Sequence, residues 1–275
     1  GSMQILSDLL KNCFLRDGGN LLIGHRVTNI FSNKNTNTFD VNVIDRRKNL
    51  IKLNTSDIVF SLPPQSLLDL IPIDGGLSAT YRECINKLNK PSGALVFYGA
   101  LSRSDLPANC PGHIQIFDEH FGSVFISISM EGDLRAPVGM ATLTASIFVD
   151  VDQWSSLDLQ SYTSKKNIVA KQIITILNNK FGLLDTSWTH KELSTPRSFE
   201  RWTGRPGGIV GGLGQHPSQF GPFGLPSRTP LKGLWLCGDS IYPGEGTAGV
   251  SQSAMMAVRQ LMERKGRYLN IPVFT

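Results

Sequence analysis

Apolar and polar residues alternate with two different periods along this chain, and the changes of period mark out its elements. Near the start, Ile5, Leu6, Leu9, Leu10, Cys13 and Phe14 fall on one face of a short helix, which the turn at Asp17, Gly18 and Gly19 ends. Strands are predicted over 24–31, 38–44, 50–53 and 57–61, with a polar turn at 45–49, before Pro63 and Pro64. Helical stretches follow at 64–70 and 81–88. Strand patterns then recur at 93–101, 113–117, 124–129 and 140–149, and their alternation fits an antiparallel sheet with one buried face. Residues 161–181 read as an amphipathic helix with Ile168, Val169, Gln172, Ile173, Ile176 and Leu177 along one side.

The stretch 233–264 carries the most information. Leu234, Trp235, Leu236 and Cys237 form a continuous apolar run, as a parallel strand covered on both faces requires. Gly238 and Asp239 stop the run and deliver a carboxylate at the strand's carboxyl end, the edge where open α/β sheets bind ligands. Val250, Ala254, Ala257, Val258, Leu261 and Met262 then repeat at helical spacing, and Gly266 is a stop signal. Between strand and helix, Gly244, Gly246 and Gly249 let a backbone approach a ligand closely. The plainer reading is an ordinary β-α unit whose glycines only serve the turn. Strand, Gly-Asp, loop and helix occurring together and in order favour the ligand reading.

That arrangement resembles the closing cofactor motif of flavoproteins in the amine oxidase and phytoene desaturase group, and most closely its carotenoid desaturase and isomerase branch. The resemblance implies FAD, with Gly238 leaving room and Asp239 contacting the ribityl and pyrophosphate part. It places Gly246, Gly249 and Val250 at a helix start facing the pyrimidine edge of the flavin. Reduced flavin gathers negative charge there, which unpaired helix-start amides stabilise. It also implies that Val27, at a strand start after a helix and Gly-Gly, offers its backbone to the adenine. Read alone, Val27 is an ordinary strand residue. Gly249 is expected to lack a side chain because flavin packs on it, since helix propensity alone favours alanine there by up to roughly 1 kcal/mol. A similar segment at 195–208 brings Arg197, Arg201 and Arg205 towards the flavin, although each also reads as an ordinary surface arginine. Trp202 reads as a core residue or a cavity wall.

The family's opening strand, G-x-G-x-x-G turn and helix are not found at the start of this sequence, and the glycine-rich run 204–214 neither follows an apolar strand nor opens a helix. The sequence therefore reads as the carboxyl-terminal portion of a larger enzyme, expected to bind FAD weakly or not at all by itself. Its missing amino-terminal segment counts as a partner. Gly1 and Ser2 ahead of Met3 look like a cleavage scar and are left out of the reading.

Composition narrows the field further. The chain has 275 residues, 40% apolar content and a formal charge of +5, with no Lys/Arg block of the length a nucleic-acid arm needs. Weak attraction to anionic lipid, as peripheral membrane contact, or to an acidic partner fits that charge, but an ordinary solvated surface is the plainer and favoured reading. Cys13, Cys84, Cys110 and Cys237 are widely spaced, the usage of a reducing compartment, cytoplasmic or plastid-like. The five histidines form no paired metal motif, so no metal site is expected. No run of apolar residues has the length of a membrane-spanning helix.

The expected fold is mixed α/β (α+β): a partial FAD-binding domain in 3–64 and 199–275, with an antiparallel-sheet substrate domain at 65–198 inserted between. The resemblance implies redox chemistry on an apolar small molecule, a carotenoid-like polyene, by desaturation or cis-trans isomerisation. No side chain is singled out as catalytic acid or base. Two other readings stand beside it: an amine oxidase-like or porphyrinogen oxidase-like flavoenzyme, and a truncated, non-catalytic interaction module.

Overall fold

The computed structural model describes residues 3–88, 92–214 and 216–269. In chain order the first elements are α1 (Met3–Arg16), β1 (Arg26–Asn33), β2 (Thr38–Ile44), β3 (Leu50–Thr55), β4 (Ile58–Phe60), α2 (Ser66–Leu70) and α3 (Ala79–Asn86). Next come β5 (Gly93–Ser102), β6 (His113–Asp118), β7 (Gly122–Ile128), β8 (Met140–Val149), α4 (Asp152–Ser155), α5 (Leu159–Phe181) and β9 (Trp188–Ser194). The last three are α6 (Pro196–Thr203), β10 (Leu234–Leu236) and α7 (Gly246–Arg264).

The chain divides into two units, each built from two stretches. One comprises Gly1–Leu21 and Ser92–Val210, and the other Leu22–Pro91 and Gly211–Thr275. Residues 65–88 with α2 and α3 thus cluster with the unit that holds β10 and α7, whereas α6 clusters with the five-stranded sheet.

The first unit holds an antiparallel sheet of order β6-β7-β8-β5-β9. Alternate residues, among them Leu95, Phe97, Val124, Ile126, Leu143 and Ile147, form one buried face. On α5, Val169, Ile173, Leu177 and Phe181 recur every four residues and join that core. Each contributes about 1.5–3 kcal/mol by leaving water. Asp158 accepts the Ser161 amide at the start of α5, and Gly182 ends it in the left-handed conformation. The inner stripe is narrower than the pattern suggested, because Ile168 is 57% exposed and Gln172 faces solvent. On the opposite face of the sheet Tyr98, Phe117, Phe125 and Phe148 are exposed. Trp202, expected in a core or a cavity wall, is 79% exposed at the end of α6. α1 forms where predicted, yet none of its residues is buried, so Ile5, Leu6, Leu9, Leu10 and Phe14 lie open.

In the second unit β1, β2 and β3 make an antiparallel meander. Its inward residues Ile30, Phe39, Val41 and Val43 share one core with Phe60, Leu67, Ile71, Leu234, Leu236 and Ile241. β10 pairs in parallel with β4, Leu234 opposite Ile58 and Leu236 opposite Phe60. All three residues of β10 are buried, as the apolar run required. On α7 the deepest residues are Ser253 and Ala257, while Val258, expected on the inner face, is 44% exposed. Asp57 ties the end of α7 to the start of β4: its side chain is 8% exposed and meets Arg264 Nη1 at 2.7 Å and Lys265 Nζ at 3.0 Å.

Candidate functional site

All six residues singled out for cofactor contact fall within the second unit. The last rung of the parallel pair is the Cys237 amide on the Phe60 carbonyl at 3.0 Å. Gly238 is the first residue beyond it and takes φ +113°, a conformation that suits glycine. Its N–H donates to Ser253 Oγ at 2.9 Å, which fastens the strand end to α7. Asp239 follows, half-buried, with Ser240 Oγ donating to its Oδ1 at 3.3 Å. Burial raises the pKa of the neighbouring Cys237 thiol, a small half-buried side chain and not a ligand.

α7 begins at Gly246, with Glu245 as an N-cap whose side chain makes no capping bond. Gly246, Thr247 and Ala248 are exposed, and Gly249 and Val250 are half-buried. The first three residues of a 19-residue helix thus lie at an open surface, at the positive end of its dipole. Gly249 lacks a side chain for a reason nearer than flavin. A Cβ there would fall well inside 3.0 Å of the Gly244 carbonyl oxygen, so the loop itself fills the space.

Val27 sits at the start of β1 opposite Val43, at a bulge between Val27 and Asn29. It is half-buried and packs on the core that contains Leu236 and Ile241. It thus shares a core with Leu236 at the strand end.

The glycine-rich run turns out to matter locally. A side chain at Gly212 would collide with the Asp239 carbonyl, so this loop packs directly on the Asp239 turn. The sequence signal was present as two adjacent glycines, but their partner lies 27 positions away and nothing in the pattern names it. Gly212, Phe220, Asp239, Tyr242 and Gly244 line a recess of about 20 Å³. That is room for a water, not for an organic cofactor, which needs roughly 300 Å³ or more. The fit to FAD is therefore that of one wall: an exposed helix start, a half-exposed carboxylate and a glycine turn that leaves the strand end open.

Arg197 is engaged elsewhere, bonded to the carbonyls of Leu157 and Ser155 and stacked 4.5 Å above the Tyr162 ring. Arg201 lies over Trp202 at 5.4 Å. Among the described residues no group of three His, Cys, Asp or Glu side chains is arranged to hold a metal ion, and no helix is long and apolar enough to cross a membrane.

No family model matches the sequence. Among curated proteins, chloroplastic prolycopene isomerase of Arabidopsis thaliana is 33% identical over 162 residues, 56% of this chain and 27% of that protein. The same-named protein of Daucus carota is 31% identical over 156 residues, 56% of this chain and 25% of its own length. The matches thus span about a quarter of these relatives. Cyclohexylamine oxidase from Brevibacterium oxydans IH-35A superposes with a TM-score of 0.61 at 15% identity, over 94% of this chain and 51% of that one. An oxidoreductase from Methanosarcina mazei gives 0.54 at 16% identity, over 93% of this chain and 53% of that one. At such identities the likeness establishes the fold, the mixed α/β architecture of these oxidoreductases. Over its C-terminal part the chain is homologous to carotenoid isomerases, in keeping with the resemblance read from its closing motif.

Proposed function

We propose, from that homology, that the chain is the carboxyl-terminal part of an FAD-dependent enzyme acting on an apolar polyene. The reaction is cis-trans isomerisation or desaturation, and the names of the relatives favour isomerisation. The observation that carries the reading is the partial identity to prolycopene isomerases, joined to a strand-end aspartate that a glycine loop connects to an exposed helix start.

FAD supplies the electron chemistry when bound, and the protein binds and orients. Asp239 would accept hydrogen bonds from hydroxyls of the cofactor's ribityl chain, and Gly238 would leave the approach clear. The amides of Gly246, Gly249 and Val250 would hold the negative edge of the ring, and the backbone of Val27 would hold the adenine. The exposed sheet face with Tyr98, Phe117, Phe125 and Phe148 offers a polyene an aromatic, apolar surface. The open apolar arc of α1 supports packing against a further segment of the same protein, with peripheral membrane contact as part of the same proposal. The chloroplastic relatives support a plastid-type compartment.

The test is the complete protein, purified with flavin and given a cis-configured polyene and, separately, a primary amine. Change of polyene geometry or unsaturation with no amine oxidation is expected. Amine turnover with an untouched polyene would move the enzyme to the amine oxidase reading. A complete protein that takes up no flavin would make it a non-catalytic module.

A further inference from the structure

We infer that Ser253, about two turns into α7, is the positioning residue that holds Asp239 in place for the cofactor. The inference rests on the site reading above and extends it to a side chain that touches no ligand.

Ser253 is 0% exposed, on a helix whose other fully buried residue is Ala257. Its one hydroxyl makes three approaches: it accepts the Gly238 N–H at 2.9 Å and lies 3.1 Å from the Gly238 carbonyl and 3.0 Å from that of Val250. A hydroxyl has one proton and two lone pairs. It therefore accepts from Gly238 while donating to one carbonyl or sharing its proton between both. Bonding to a carbonyl one turn back is the usual habit of a serine within a helix. Reaching across to a second element is not, and here the second element is Gly238, the residue just before Asp239.

The β10 ladder ends with the Cys237 amide, and the Gly238 carbonyl also accepts from the Ile241 N–H at 3.2 Å. The Gly238 N–H itself is held by Ser253. Glycine at φ +113° has no side chain to resist rotation, so the approaches of Ser253 to the Gly238 N–H and carbonyl, which lie on the two peptides flanking this residue, set the direction in which Asp239 leaves the strand. Buried hydrogen bonds of this kind hold ligand-binding groups in register.

The experiment compares flavin dissociation constants, flavin absorbance band shape and thermal unfolding of flavin-free protein for the complete protein and its Ser253→Ala, Ser253→Cys, Ser253→Thr and Asp239→Ala variants. Ser253→Ala is expected to weaken flavin binding at least tenfold and to blur the band structure. Ser253→Cys, close in volume but a poor acceptor, is expected to do the same, and Ser253→Thr, which keeps the hydroxyl, to recover most of the affinity. Should Ser253→Ala not fold, the cysteine variant carries the comparison. Flavin affinity within twofold of the parent in the alanine or cysteine variant, with Asp239→Ala flavin-free, would overturn the positioning role and leave the site. Parent-like affinity in Asp239→Ala would overturn the site and the positioning role together.

Discussion

Gly249, in the first turns of α7, holds its Cα against the carbonyl oxygen of Gly244, and no Cβ fits between them. The loop and the helix it feeds are thus packed backbone on backbone. Helix propensity favours alanine at such a position by up to about 1 kcal/mol, whereas overpacking costs about 1–3 kcal/mol. Overpacking wins here because the opposing atom is main chain and has no rotamer to retreat into.

Gly249→Ala is therefore expected to destabilise the flavin-free chain by about 1–2 kcal/mol, a drop that denaturant unfolding resolves. A neutral or more stable variant would mean that the loop yields freely.

Asp239→Ala in the complete protein is expected to cost most of the bound flavin while moving the melting temperature of the flavin-free form by no more than a few degrees. The half-buried carboxylate accepts from Ser240 Oγ within its own turn, and that turn is held through the Gly238 backbone and Ser253. Flavin content by absorbance and thermal unfolding by circular dichroism decide the matter. Retained flavin with a large loss of stability would make Asp239 structural.

The chain of 275 residues by itself is expected to emerge from gel filtration without stoichiometric flavin. It presents one wall of a site, and the recess beside Asp239 has the volume of a water molecule. A yellow protein with one flavin per chain would contradict this.

Asp57 gives a pH dependence. Burial pushes its pKa up, but the Ser56 and Lys265 hydrogen bonds and the charges of Arg264 and Lys265 outweigh burial and leave it below the usual carboxylate value. A depressed folded pKa contributes stability that is complete above the unfolded value of about 3.9 and is lost as pH falls through the folded value. Asp57→Asn is expected to cost about 1–3 kcal/mol at neutral pH. The gap between parent and variant in urea should close below about pH 4. A gap that stays constant down to pH 2.5 would show that the ion pairs contribute nothing.

Thiol reactivity separates the four cysteines. Cys13 and Cys84 are exposed, while burial raises the pKa of both Cys110 and Cys237. Two fast and two slow groups are expected in a thiol-exchange assay at pH 8, and unfolding should make all four fast. Rapid labelling of Cys237 in the native protein would mean that the end of β10 opens readily.

The strong periodicities translated directly into elements. β2 and β8 occupy the ranges their alternation indicated, and the apolar run at 234–237 became a fully buried parallel strand over 234–236 with Cys237 half-buried at its end. Depth within helices was less legible. Ser253 is the innermost residue of α7 yet reads as polar, because its burial is justified by a bond to Gly238 that lies 15 residues away in sequence. Ile168 reads as core but lies one position off the stripe set by Val169, Ile173 and Leu177. The apolar face of α1 was legible as a helix, and its exposure was not, because periodicity shows which residues seek cover and not what covers them. At the candidate site the strand-end aspartate and the glycine loop were visible in the sequence. The packing of Gly212 on Asp239 and of Gly249 on Gly244 was not, since a glycine records that space is short without recording what occupies it.

The unit that bears Asp239 is closed by an ion pair between residues 207 positions apart, whereas the five-stranded sheet draws all its strands from one uninterrupted stretch. On a ribosome adding about 5–20 residues per second, Arg264 reaches Asp57 roughly 10–40 s after Asp57 itself is made. The inserted sheet has every strand at hand before then, so translation order alone favours its folding first. The meander and β4 meanwhile wait with an unpaired strand edge and an open core, which makes this half the natural client of a chaperone. Mutations that slow the arrival or docking of β10 and α7 should therefore lower yield in the cell before they lower the stability of the molecules that do fold.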